Sequence, residues 1–168
     1  HAAAGTYDQG QMSCGGSDPY ARVSVKEGVT LVADEGREVT TIWGRWNSEN
    51  TRQGVNALRA VYLHRGAVLD GFTVRDGATR ATGGGVYEDN AGGCIVAPQA
   101  WSSTVSATIR NCEIFNGGAR NAGGVFGGIL DHCYLHDNTS SSDASASMYS
   151  RLNHTIVNNT DRTALALH

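Results

Sequence analysis

Leu69-Asp70-Gly71-Phe72-Thr73-Val74-Arg75-Asp76-Gly77 recurs three times in this chain. It returns as Ile109-Arg110-Asn111-Cys112-Glu113-Ile114-Phe115-Asn116-Gly117, as Leu130-Asp131-His132-Cys133-Tyr134-Leu135-His136-Asp137-Asn138 and as Leu152-Asn153-His154-Thr155-Ile156-Val157-Asn158-Asn159-Thr160. The first residues of successive copies stand 40, 21 and 22 positions apart. The 40 reads as one period plus an insertion of roughly 18 residues, and a fixed period of this size is the signature of a stacked repeat.

The columns of this alignment carry physical information. Position one is always Leu or Ile; position four is Phe, Cys, Cys, Thr; position six is Val, Ile, Leu, Val. Side chains of a strand alternate between its faces, so positions four and six point inward together while five and seven point outward. Position three is Gly, Asn, His, His, residue types that tolerate a left-handed backbone, and it reads as a one-residue corner between two strands. Position eight is Asp, Asn, Asp, Asn, which suits a turn closed by side-chain to backbone hydrogen bonds.

A third strand is expected before each copy, at Ala60-Val61-Tyr62-Leu63, Gly84-Gly85-Val86-Tyr87, Gly123-Gly124-Val125-Phe126 and Ser147-Met148-Tyr149. An earlier, degenerate round fits the same plan through Arg22-Val23-Ser24-Val25, Val29-Thr30-Leu31-Val32 and Val39-Thr40-Thr41-Ile42-Trp43, and Ala164-Leu165-Ala166-Leu167 opens another. The expected fold is therefore all-β: a right-handed, single-stranded parallel β-helix of about five coils, each of three short strands. The rival with an overlapping period, the leucine-rich repeat, needs a helical arm in each unit. The linking segments Gly118-Ala119-Arg120-Asn121-Ala122-Gly123-Gly124 and Thr139-Ser140-Ser141-Ser142-Asp143-Ala144-Ser145 would not hold a helix. One domain over 1–168 is expected, with an irregular N-terminal segment over 1–20 and loops at about 44–57 and 88–106.

Composition agrees. Glycine makes up 22 of 168 residues against 2 prolines, about twice its ordinary share and without the proline of a disordered tract. Lys26 is the only lysine, so nearly all positive charge is arginine. Such a chain suits short strands and tight turns. A net charge of −3 argues against nucleic acid, which demands a basic face. No run of 18 apolar residues occurs, so membrane insertion is not expected. The opening His1-Ala2-Ala3-Ala4-Gly5-Thr6 carries no secretory leader, as a processed chain would also read. The four cysteines fit either redox compartment, and no Cys-x-x-Cys spacing occurs.

The run from Val61 to Asn159, with its Gly-Gly-Val-Tyr and Asn-Cys-Glu-Ile elements, resembles the pectin-lyase-like superfamily, and more closely the repeat-bearing β-helix regions of large bacterial surface and secreted proteins. Arg22–Trp43 resembles their early coils, and Ala4-Gly5-Thr6-Tyr7 the strand that opens such domains. The resemblance implies the fold and a secreted or cell-surface setting; its motifs specify no chemistry. Such domains carry an N-terminal cap and many more coils, whereas this chain reads as starting in mid-coil and stopping as a strand begins. Solenoid ends need covering, so the chain is expected to belong to a longer protein, or to have its ends covered by loops or by another copy, with self-association through the open ends the expectation.

Several residues invite a functional reading. Polysaccharide lyases of this fold use clustered acids for calcium and an Arg or Lys as base. Asp70, Arg110 and Asp131 fall in one outward column, as a catalytic group or as a solvated column with a cross-strand ion pair. No three or four acids converge to hold calcium. His132 and His154 are column mates and could bind zinc or copper with His136 nearby, or simply fill the corner that Gly71 and Asn111 fill elsewhere. Cys112 and Cys133 are also column mates, read as a reduced ladder in the core rather than a disulfide. In the two long loops, Trp46, Arg52, Asp89 and Trp101 are the candidate ligand-binding residues, since loops on a rigid scaffold carry function and an exposed indole beside polar groups can stack on a sugar ring. An ice-binding face would need a repeated outward column of Thr, and the outward residues Thr73, Glu113, Tyr134 and Ile156 are not one.

The leading expectation is a non-catalytic surface or secreted module that binds a polysaccharide or another protein through its side loops, with no cofactor. The alternative is a polysaccharide lyase or glycoside hydrolase acting through Asp70, Asp131 and Arg110 beside Trp101.

Overall fold

The computed structural model describes residues 1–14, 20–80, 87–97, 106–159 and 165–166. Among them strands dominate, there is no α-helix, and no helix is long and apolar enough to cross a membrane. Nearly all strand pairing is parallel.

The nine-residue block supplies two of the sheets. Its second half builds a six-stranded sheet in the order Gly5–Tyr7, Thr40–Trp43, Thr73–Arg75, Glu113–Phe115, Tyr134–His136, Ile156–Asn158. Its first half builds a five-stranded sheet of Thr30–Val32, Val68–Asp70, Thr108–Arg110, Ile129–Asp131 and Arg151–Asn153. A third sheet of seven strands runs Met12–Ser13, Tyr20–Val25, Arg59–Leu63, Ile95–Val96, Val125–Phe126, Ser147–Met148, Leu165–Ala166. From Tyr20 onward the chain visits the third, second and first sheets in fixed rotation. The architecture is all-β with stacked parallel sheets, compatible with a solenoid.

The alignment columns that fall in strands are physical stacks. Leu69, Ile109, Leu130 and Leu152 are register partners, as are Val74, Ile114, Leu135 and Val157. Leu69, Val74, Ile109, Ile114, Leu130 and Leu135 are fully buried and belong to one continuous apolar cluster with Phe72, Cys112 and Cys133. All four cysteines are free thiols. The Cys112 Sγ donates to the Arg110 carbonyl at 3.2 Å. Two rounds on, Thr155 replaces cysteine, and its Oγ1 accepts from the Cys133 N–H at 3.3 Å.

Both corners of the block are left-handed. Position three has φ of 79° at Gly71, 55° at Asn111, 54° at His132 and 44° at His154. Position eight has 53° at Asp76, 56° at Asn116 and 52° at Asp137. One αL residue between two extended runs turns the chain sharply without adding length. Asn, Asp and His bear that conformation better than other non-glycine types because a short polar side chain can bond locally.

Three expectations need correction. Two of the later rounds have four strands rather than three: Gly118–Asn121 and Thr139–Asp143 form a fourth, two-stranded parallel sheet. Read as connectors, they have matching lengths, so they stack and satisfy each other's backbone groups. The strand expected at Gly84–Tyr87 is instead Ile95–Val96, which pairs with Arg59–Leu63 and Val125–Phe126. Tyr87–Asn90 is a 3-10 turn, and Gly84, Gly85 and Val86 lie outside the described residues. The loop expected over 88–106 is thus interrupted by a buried strand. Third, the segment expected to be irregular over 1–20 is not so throughout: Gly5–Tyr7, parallel to Thr40–Trp43, falls where the opening strand is expected, and Met12–Ser13 lies antiparallel to Tyr20–Val25. The latter covers the edge of the third sheet.

Where the first sheet hands over to the fourth, backbones touch. A Cβ on Gly117 would lie 2.0 Å from the Gly123 carbonyl oxygen, and one on Gly77 2.3 Å from that of Gly93. Gly117→Ala is expected to destabilise the fold by about 1–3 kcal/mol, the usual cost of overpacking a rigid site, as read in urea unfolding.

Burial also sets an alkaline limit. It pushes the Cys94 thiol from 9.0 up to about 12 and the Cys112 thiol well above its ordinary value. The folded state keeps a proton that the unfolded chain releases. The stabilisation is therefore complete below pH 9.0 and lost as pH rises towards about 12. Unfolding free energy should fall above about pH 9, and Cys94→Ala should remove up to about 1.4 kcal/mol per pH unit from that slope.

Candidate functional site

The outer face of the first sheet is built from positions five and seven, and position seven forms a ladder. The Arg75 guanidinium lies 4.7 Å over the Trp43 ring and 5.0 Å over the Phe115 ring. Phe115 in turn stacks on His136 at 4.7 Å and 12°. Parallel in-register strands bring these side chains to van der Waals spacing, and cation–π attraction of about 0.5–1 kcal/mol per contact holds the order. Arg75 is also paired with the Asp76 carboxylate at 2.6 Å. His136 faces carboxylates on both ring nitrogens, Asp137 at 2.8 Å and Glu113 at 3.3 Å, so it does not join His132 and His154.

At the Trp43 end the ladder opens into a cleft of about 590 Å³. Trp43 is 39% exposed. The cleft is walled by Trp43, Trp46, Arg22, Arg45, Asp8 and Glu49. The loop over 44–57 that carries Trp46 is a small hairpin with antiparallel bridges Arg45–Leu58 and Ser48–Thr51. The Trp46 Nε1–H donates to the Asn116 carbonyl at 3.0 Å, which fixes the indole against the sheet. Arg22 donates through Nε to the Trp43 carbonyl at 2.9 Å and also to the Gly10 carbonyl, tying the N-terminal segment to the rim.

Arg52 is a strut for this loop. It lies 4.7 Å over Trp46, and its Nη1 donates to the Gly117 carbonyl at 2.9 Å, the Asp137 carbonyl at 3.1 Å and Thr139 Oγ1 at 3.0 Å. Its guanidinium thereby ties the loop to the turns that lead from the first sheet into the fourth. Asp89 is buried, at 6% exposure, at the end of the 3-10 turn rather than on an open loop. Trp101 lies outside the described residues.

Asp70, Arg110 and Asp131 are register partners in the second sheet, and they divide. The Arg110 Nε donates to Asp70 Oδ2 at 2.8 Å, and the Asn111 amide donates to Asp70 Oδ1 at 2.8 Å. Both oxygens of Asp70 are thereby engaged, in a partly exposed pair worth a few tenths to about 1 kcal/mol. Asp131 turns to the histidines: its Oδ1 lies 3.0 Å from His132 Nδ1 and 3.4 Å from His154 Nδ1. None of the three residues lines the Trp43 cleft.

Trp43 is the residue that the reading of loops missed. It ends a strand instead of sitting in a loop, but its register with Arg75 places it at the head of outward position seven. Carrying the alignment one round earlier would have found it. No family model, no curated protein and no solved structure matches this chain.

Proposed function

We propose that the stacked sheets wind as one right-handed parallel β-helix of the pectin-lyase-like kind, and that the chain is a non-catalytic carbohydrate-binding module of a secreted or surface-displayed protein. Handedness is supported by the crossover rule, since a strand feeding a parallel neighbour in the same sheet turns right-handed in about 98% of cases. The observation that carries the binding reading is the exposed Trp43 indole in a cleft shared with Trp46.

An indole presents a flat apolar face with a negative quadrupole, suited to the C–H face of a sugar ring. The walls of the same cleft supply what the hydroxyls need: the Asp8 and Glu49 carboxylates accept, and the Arg45 guanidinium donates. Trp46 is held by its hydrogen bond to Asn116 and by Arg52, so little ordering entropy is lost on binding. A non-catalytic role is supported by the engagement of both Asp70 oxygens and by the separation of that column from the cleft.

A glycan-array and soluble-polysaccharide screen should find binding that quenches or shifts tryptophan fluorescence. Trp43→Ala should weaken it about tenfold or more with the melting temperature little changed, while no reducing ends or unsaturated sugars are released. Binding insensitive to Trp43→Ala, or a screen without hits, overturns the carbohydrate reading. Product release overturns the non-catalytic one.

A further inference from the structure

On the opposite edge of the repeat block, where the second sheet turns into the first, two imidazoles and a carboxylate meet. His132 and His154 occupy the same left-handed corner in successive rounds, with φ of 54° and 44°. Their rings stack at 4.7 Å and 21°. Both turn Nδ1 toward one atom, Asp131 Oδ1, at 3.0 and 3.4 Å. The three donor atoms lie within 4.8 Å of one another. The two histidines line a cleft of about 420 Å³ that also includes Arg37, Glu38 and Tyr134.

We propose that Asp131, His132 and His154 form a binding site for a divalent transition-metal ion of the zinc or copper class. The geometry is close to what such an ion requires. Bonds of about 2.0–2.1 Å from N and O donors in a tetrahedral shell set donor–donor separations of about 3.3 Å, and both nitrogen–oxygen distances already bracket that figure. The two histidine side chains are 60% and 75% exposed, so small rotations bring the nitrogens together without disturbing the core. Two imidazoles select borderline cations over calcium or magnesium, which prefer all-oxygen shells. Three protein ligands leave a further position open to water on the cleft side.

The register of the sheets makes the site. Asp131 sits at position two and His132 at position three of one round, and His154 at position three of the next. Neighbouring rounds of the second sheet pair Asp131 with Asn153, so His154 is delivered beside His132 by the backbone ladder itself. No other round repeats the set: position three is Gly71 and Asn111 in the two preceding blocks.

The test is titration calorimetry of the full chain with Zn²⁺ in a non-coordinating buffer, together with the melting temperature with and without Zn²⁺. The variants are His132→Asn and His154→Asn, since asparagine already holds this corner at Asn111 with φ of 55°, and Asp131→Asn, with His64→Gln as the control. One equivalent should bind, and binding should raise the melting temperature, because an ion that binds only the folded state stabilises it. Each corner variant and Asp131→Asn should weaken binding at least about tenfold and abolish the thermal shift while melting normally without metal, and His64→Gln should leave both unchanged. Absence of saturable binding, or binding that the three variants leave intact, overturns the proposal.

Discussion

Everything in this molecule depends on the register between successive rounds of chain. A parallel ladder pairs residue with residue, so one misplaced residue would turn the Leu69–Ile109–Leu130 column outward and bring charged Asp70 or Arg110 into the core. What keeps register is the economy of the corners. A single αL residue at position three and another at position eight turn the chain without slack, and the backbone hydrogen bonds between rounds then fix the next layer. The slightly strained corners are offset by the burial of three apolar columns per round and by the satisfaction of the backbone between layers.

That constraint explains how few side chains specify the interior. Phe72, Cys112, Cys133 and Thr155 occupy one column with quite different volumes, because neighbouring columns share the space and the layers are only loosely selective about which small or medium apolar group fills them. The thiols serve as compact apolar filler with a weak hydrogen bond to a carbonyl. Glycine is used where layers leave no room at all, at Gly77 and Gly117, where one backbone passes against another.

Outside, the same register turns unrelated side chains into ladders. Trp43, Arg75, Phe115 and His136 stack because strand geometry places them one above another, and the Arg75 guanidinium held between the Trp43 and Phe115 rings stabilises the order. Arg110 and Asp70 pair for the same reason, and so do His132 and His154. The loop over 44–57 departs from this regularity and is held to the scaffold by Arg52. The scaffold therefore presents two unlike surfaces: an aromatic cleft at one end of the first sheet and an imidazole–carboxylate group at the corner near the other.

The sequence by itself determined the stacking. Period, inward columns and the left-handed corner at position three were all legible in the nine-residue blocks, because each is a local property repeated four times, and Gly, Asn and His at position three mean the same thing wherever they stand. The strand Ile95–Val96 resembles Val125-Phe126 behind the same run of small residues, but the richer glycine run before Tyr87 competes with it for the same place in the repeat. Tertiary structure alone decided the rest. That Gly118–Asn121 and Thr139–Asp143 are strands follows from their lying side by side, since neither has strand propensity. That Arg52 is a strut, that Trp43 rather than a loop residue opens the cleft, and that Asp131 leaves Arg110 for two histidines are outcomes of side-chain competition among neighbours brought together by the register, and no single strand's sequence carries the result.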